Sequence, residues 1–304
     1  MREQGKIEDH KKKKAGNSLS SEVKTAKNGS GKKSRKNQAS DKQKKTNKQV
    51  RKECYNSDNS MQLLVSPRNV PEALECLKSA AVDIIDIKNP DEGSLGANYP
   101  WVIEEIRKCT GTHRLSAAIG DIKTFQPGTV SLAARAVAML GISYIKIGLL
   151  LPDSDQALQM LRKVVRAVKD HDSSIAVVAA GYADHAEVGG LDVLELPRLG
   201  SIAGCDLVMI DTALKNGATL FDRMNESELG DWCNLARKRG LSTALAGSLK
   251  IEHLDKLFRI QPDIIGIRSA ACDSHDRQNG MLRANHIMKF RKAMEKYEKS
   301  LKSA

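Results

Sequence analysis

From Met61 onward, short apolar runs rich in β-branched residues recur eight times, beginning near Leu63, Asp83, Leu115, Tyr144, Ile175, Leu207, Thr243 and Ile264. Helical patterns fall between most of them. Leu158, Leu161, Val164, Val165 and Val168 form an apolar stripe at i, i+3, i+6, i+7 and i+10 that ends at Lys169-Asp170. Other helical stretches are expected over about 71–80, 98–109, 130–140, 227–239, 251–259 and 283–299. The fifth, about 194–204, is the weakest, being interrupted by Pro197 and Gly200. Strands without inside–outside alternation, separated by helices, describe a parallel sheet covered on its outer face. No Gly-x-Gly-x-x-Gly follows the first strand, as an open dinucleotide-binding sheet would favour. Eight units in residues 61–304 match the roughly 250 residues of a single (β/α)8 TIM barrel, and that is the expected fold class.

Residues 1–60 differ in kind. They hold 18 of the 49 Lys and Arg but only 7 of the 37 Asp and Glu, so nearly all of the formal +12 lies there. With few apolar residues, this lysine-rich segment is expected to be disordered. As a polybasic arm it would favour nucleic acid or an anionic surface, but its one aromatic, Tyr55, gives no stacking pattern, so a solvated extension is the simpler expectation. Met61, where the composition breaks, is itself a candidate start. The near-neutral body argues against a DNA-binding domain. No apolar run reaches the roughly 18–20 residues of a membrane span. Neither a secretory signal nor a mitochondrial leader fits the N-terminus. Six scattered cysteines without a Cys-x-x-Cys pair suit a reducing compartment. The expectation is a soluble cytoplasmic protein with no membrane partner, nucleic acid at most through the tail, and a homo-oligomeric assembly.

Chemistry in such a barrel sits at the C-terminal ends of the strands. Strand 2 runs Asp86-Ile87-Lys88, strand 4 carries Lys146, strand 6 ends in Asp211 with Lys215 four residues on, and strand 8 ends in Arg268. All four strands are even-numbered, and inward layers draw on alternate strands. Lys88, Lys146, Asp211 and Arg268 are therefore expected to form or adjoin one polar layer, with Asp86 a layer below holding Lys88 by a charge-assisted hydrogen bond. One lysine at a strand end is ordinarily a snorkelling side chain; two, in phase with an acid and an arginine, point to a site. A deprotonated amine attacks aldehydes and ketones, and the Schiff base it forms acidifies the adjacent carbon. A second lysine or carboxylate then moves protons. This is carbon–carbon chemistry on a carbonyl compound.

A phosphorylated substrate is expected from the loops after strands 7 and 8, where Gly247, Ser248, Arg268 and Ser269 lie at the common phosphate site of the fold. Gly93 and Ser94 after strand 2 are candidates for a second phosphate. The dispersed histidines and cysteines offer no metal-ligand spacing, so no metal and no cofactor are expected. Cys272 reads as a buried thiol. Asp184 and His185 lie near the mouth with no role assigned.

Leu63-Leu64-Val65-Ser66-Pro67, the block from Asp86 to Asn98, Pro127-Gly128-Thr129, Tyr144-Ile145-Lys146-Ile147-Gly148, Ala179-Ala180-Gly181-Tyr182-Ala183-Asp184 and Asp211-Thr212-Ala213-Leu214-Lys215 resemble the (5-formylfuran-3-yl)methyl phosphate synthase family. The resemblance runs from 61 to about 292. It implies a lyase of methanofuran biosynthesis and one-carbon metabolism that condenses two molecules of glyceraldehyde 3-phosphate with loss of phosphate and water. It also implies Lys88 as the Schiff-base lysine, Lys146 as proton acceptor, and Asp211 and Lys215 as further site residues. The tail lies outside the resemblance, and Gln126 stands where a basic residue is expected, with Lys123 nearby. Asp86-x-Lys88-x-x-Asp91 also matches a pattern of the orotidine-phosphate decarboxylase group. A Schiff-base aldolase acting on another sugar phosphate would use similar lysines, and an RNA-binding protein acting through its tail is the alternative from outside enzymology.

Overall fold

The computed structural model describes residues 60–274, 276 and 279–302. The expected tail, residues 1–59 of it, lies outside the described residues. Eight parallel strands form a closed barrel in chain order: β1 (Gln62–Val65), β2 (Ile84–Ile87), β3 (Leu115–Ile122), β4 (Tyr144–Leu149), β5 (Ala176–Tyr182), β6 (Leu207–Asp211), β7 (Ser242–Leu245) and β8 (Ile264–Ile267). Closure is made by β8 on β1, with Gln62 opposite Ile264 and Val65 opposite Ile267. The helices are α1 (Val70–Ser79), α2 (Pro100–Thr110), α3 (Pro127–Ala138), α4 (Ser154–Lys169), the single turn α5 (His185–Val188), α6 (Leu196–Ala203), α7 (Glu226–Lys238), α8 (Leu254–Ile260) and α9 (Ala284–Lys302). Strand starts fall within one residue of their sequence expectations. No helix among the described residues is long and apolar enough to cross a membrane.

Each helix forms for local reasons. Asp153 caps α4 by accepting from the Gln156 amide at 2.7 Å, and the stripe Ala157, Met160, Leu161, Val164, Val165 and Val168 is buried. Asn225 and Glu228 form a capping box at α7. The residues expected to interrupt α6 belong to it instead. Pro197 sits in its first turn, where no amide is needed, and Gly200 lets the helix approach β6, since a Cβ there would lie 2.9 Å from Val208 Cγ1.

Most strand residues are buried on both faces, as the parallel barrel demands. Outward positions such as Leu63, Ile85, Ile145, Val177, Val208 and Ile265 pack with the helices. Inward positions form a second, smaller core. Counting up the even strands, the bottom inward layer is Ile84, Tyr144, Leu207 and Ile264, all in that inner core. Two residues higher come Asp86, Lys146, Met209 and Gly266; two higher again come Lys88, Gly148, Asp211 and Arg268. The barrel thus changes from oil to charge over one inward step.

Candidate active site

The expected single layer of Lys88, Lys146, Asp211 and Arg268 resolves into two levels. Lys146 lies two residues before Gly148, so it joins Asp86 in the middle layer. Its Nζ donates to Asp86 Oδ2 at 2.5 Å, and Ser66 Oγ donates to the same oxygen at 2.8 Å. Asp86 is fully buried and Lys146 is 1% exposed. The close charge-assisted bond of Asp86 therefore goes to Lys146, where Lys88 had been expected, while Lys88 acts on Asp86 through its field. Burial pushes the Asp86 carboxyl up, but Lys146, Lys88 and the two hydrogen bonds outweigh it and hold the group below the ordinary aspartate value.

Above this pair, Lys88 Nζ lies 3.8 Å from Asp211 Oδ2. Asp211 Oδ1 accepts from the Thr212 amide at 2.8 Å and from Lys215 Nζ at 3.0 Å. Lys215 also donates to Thr212 Oγ1 at 3.0 Å. The loop bearing Lys215 is fixed from the neighbouring strand: buried Asp184 accepts from the amides of Ala213 at 2.7 Å and Leu214 at 2.8 Å. Asp184, given no role by the sequence, is thus the anchor of that loop.

Gly247, Ser248 and Ser269 line the cavity above Lys88, together with Asp211 and Lys215. Gly247 has φ of +110°, and Ser248 turns the chain with φ of +51°. Arg268 also lines the cavity, but the fork expected to meet a phosphate is engaged otherwise. Its Nη1 donates to Glu72 at 2.7 Å and to the Ser66 carbonyl at 2.6 Å, and its Nη2 donates to Glu72 at 3.1 Å. The pair is buried, so Arg268 ties β8 to α1, its charge neutralised on the spot.

The Gly93–Ser94 loop, expected to hold a second phosphate, also has an internal anion. The Leu95 amide donates to both oxygens of Asp121, at 3.2 Å each. A Cβ at Gly93 would collide with that carboxylate, and Ser94 Oγ donates to the Thr212 carbonyl at 2.9 Å. Buried Tyr182 donates its hydroxyl to Asp121 as well. Burial first, then Asp121, Asp211 and Asp184, push the Tyr182 phenol well above its ordinary value, so it stays a donor at neutral pH. Asp91, last residue of the decarboxylase-like pattern, is exposed and faces Arg68 at 3.9 Å. Cys272 is buried, its thiol pushed up to about 11 by burial above all. Among the described residues no group of three or more His, Cys, Asp or Glu is placed to hold a metal ion.

Asp121, Tyr182, Ser66 and Glu72 escaped the reading of strand ends. Asp121 and Tyr182 were visible as polar residues closing β3 and β5, which are odd-numbered strands. Glu72 carried no signal, because its partner is 196 residues away.

Fold and site define a (β/α)8-barrel enzyme with a buried lysine–carboxylate pair beneath a second lysine–carboxylate cluster at the mouth. Residues 63–291 match the family model described as 4-HFC-P synthase, and the chain belongs to that family. It is 46% identical over 239 residues to the (5-formylfuran-3-yl)methyl phosphate synthase of Methanobrevibacter smithii, covering 78% of this chain and 100% of that protein. The synthases of the same name from Methanococcus maripaludis and Methanocaldococcus jannaschii are each 50% identical, over 75% and 73% of this chain and 96% and 94% of theirs. Among solved structures, 3-hexulose-6-phosphate synthase from Salmonella typhimurium matches with a TM-score of 0.56 at 18% identity, covering 78% of this chain and all of that one. KGPDC from Streptococcus mutans matches with 0.52 at 13%, covering 78% and 98%. Those two likenesses show the fold alone.

Proposed function

We propose that this chain condenses two molecules of glyceraldehyde 3-phosphate into (5-formylfuran-3-yl)methyl phosphate, a step toward a methanofuran-type cofactor, through a Schiff base on Lys88. Two trioses bring six carbons and two phosphates; the product keeps all six carbons and one phosphate, so one phosphate and two waters leave. The observation that carries this reading is the buried Lys88, 3.8 Å from Asp211 and above the Lys146–Asp86 pair, in a chain of this family.

Lys88 passes its ammonium proton to Asp211, 3.8 Å away, and the resulting amine adds to the carbonyl carbon of one triose phosphate. Expulsion of the carbonyl oxygen as water leaves an iminium, which acidifies the neighbouring C–H. Lys146 Nζ points a hydrogen-bonding proton at Asp86 Oδ2. Lys146 can therefore deliver that proton to the departing water and, now an amine, take up the proton released from the carbon. Asp211, 3.8 Å from Lys88, and Lys215, which donates to Asp211, serve protonation of the second carbonyl and of the leaving groups. Gly247, Ser248 and Ser269 receive phosphate on backbone amides and hydroxyls.

The test is product analysis with glyceraldehyde 3-phosphate. Furan aldehyde phosphate accompanied by one inorganic phosphate per two trioses is expected, and Lys146→Ala should remove it. Formation of a non-furan aldol product by the wild type would overturn the synthase reading in favour of an ordinary Schiff-base aldolase.

A further inference from the structure

The well above Lys88 offers only about 30 Å³. That is space for roughly two water molecules, and no phosphorylated three-carbon chain fits in it. The well shares Lys215, Ser248 and Ser269 with an outer groove of about 660 Å³. A groove of that size lies within the roughly 300–1,000 Å³ of small-molecule sites and has room for more than one triose phosphate. On the condensation reading, the reacting carbonyl would enter the well and the phosphate ends would project outward past the two serines.

Two phosphates then need two anion sites at the mouth. One is the rim formed by Gly247, Ser248 and Ser269. Arg268, expected at that same rim, has its fork held by Glu72, and at the second expected place, the strand-2 loop, Asp121 holds the Leu95 amide. The outer groove supplies a further set of cations. Lys250 and Lys289 line it with His286, whose Nδ1 faces the Cys272 carbonyl at 2.9 Å. Lys289 is exposed and makes no ion pair among the described residues. Lys250 lies 3.4 Å from Glu252, but both side chains are more than half exposed, so solvent weakens that pair and a doubly charged ligand can displace it. Glu252 and Asp276 also line the groove, so its charge is mixed. Lys289 and Lys250 are its phosphate-selective components.

We propose that the outer groove is the subsite for the phosphomonoester of the second triose phosphate, held by Lys289 and Lys250 with His286 alongside. This rests on the condensation reading above. It makes a specific division: the first substrate reaches Lys88 without these residues, and the second does not reach productive geometry without them.

The test compares wild type with Lys250→Ala, Lys289→Ala and the double variant, substitutions at exposed positions that leave the core untouched. Borohydride-trapped single-triose adduct on Lys88 and steady-state furan aldehyde phosphate are each measured against glyceraldehyde 3-phosphate concentration. In the double variant, half-saturation for furan formation is expected to rise about tenfold, the loss of roughly one charge-assisted contact. Half-saturation of the adduct should move less than twofold. An unchanged half-saturation for furan formation overturns the subsite. So does an equal rise in both quantities, which would place these lysines at the first substrate. Wild-type enzyme that forms no furan product overturns the condensation reading instead, and with it the second substrate assigned to this groove.

Discussion

Asp86 lies between two ammonium groups with no access to solvent, and its behaviour separates a structural pair from a working one. Its carboxyl is held below the ordinary aspartate value in the folded barrel. The resulting stabilisation is present above the unfolded value, near pH 4, and is lost as pH falls through the lower folded value. Asp86→Asn removes this linkage and strands Lys146 as a buried unpaired charge, a cost of ~3–5 kcal/mol. Melting temperature measured from neutral to acid pH should show a lower plateau for the variant and a shallower acid limb. Equal acid limbs in the two proteins would mean that another carboxylate carries the acid sensitivity. Lys88, Lys146 and Asp211 were legible in the sequence because a charge inside an apolar strand is conspicuous. Which acid holds which lysine was not legible, because parity fixes the face of a strand but not the height at which a long side chain ends.

At the scale of elements, close approach explains two glycines of opposite importance. Gly200 brings α6 against β6, far from the chemistry; Gly200→Ala should cost ~1–3 kcal/mol by overpacking and leave turnover per folded molecule unchanged. Gly148 occupies the upper layer on β4, where an added methyl would run into the Tyr182 hydroxyl and the Asp121 carboxylate. Gly148→Ala should therefore part Tyr182 from Asp121, release the loop after β2, and lower turnover by more than its effect on stability accounts for. Thermal melts alongside active-site-normalised rates distinguish the two; similar rates in both variants would mean that the Asp121–Tyr182 contact and the loop it holds play no part in turnover. The eight strands and the eight longer helices were legible because period and composition are local properties; the single turn His185–Val188 was not. The buried Arg268–Glu72 pair and the Asp121 hold on the strand-2 loop were not, since each joins segments that only barrel closure brings together. The same pairs explain why Arg268 and the strand-2 loop amide already have carboxylate partners in the fold: a cation or an open amide in sequence does not reveal the carboxylate that folding delivers to it.

At the scale of the whole molecule, charge and chemistry are separated along the chain. The body from Met61 carries a net charge of only +1 out of the formal +12, and the site residues named above lie between β1 and α9. Removal of residues 1–60 should leave the melting temperature and the catalytic rate unchanged within a factor of two (about 0.4 kcal/mol in a barrier). A large loss of either would assign the basic segment a part in the barrel. The claim on which the account turns is that Lys88, and no other lysine of the mouth, forms the covalent bond to substrate. Peptide mass spectrometry after borohydride reduction with glyceraldehyde 3-phosphate tests it directly, comparing wild type with Lys88→Ala and Lys215→Ala. The account predicts one reduced triose on Lys88 in the wild type, the same adduct in Lys215→Ala, and none in Lys88→Ala. An adduct on Lys146 or Lys215 with Lys88 unmodified, or no adduct from enzyme that forms product, would contradict it.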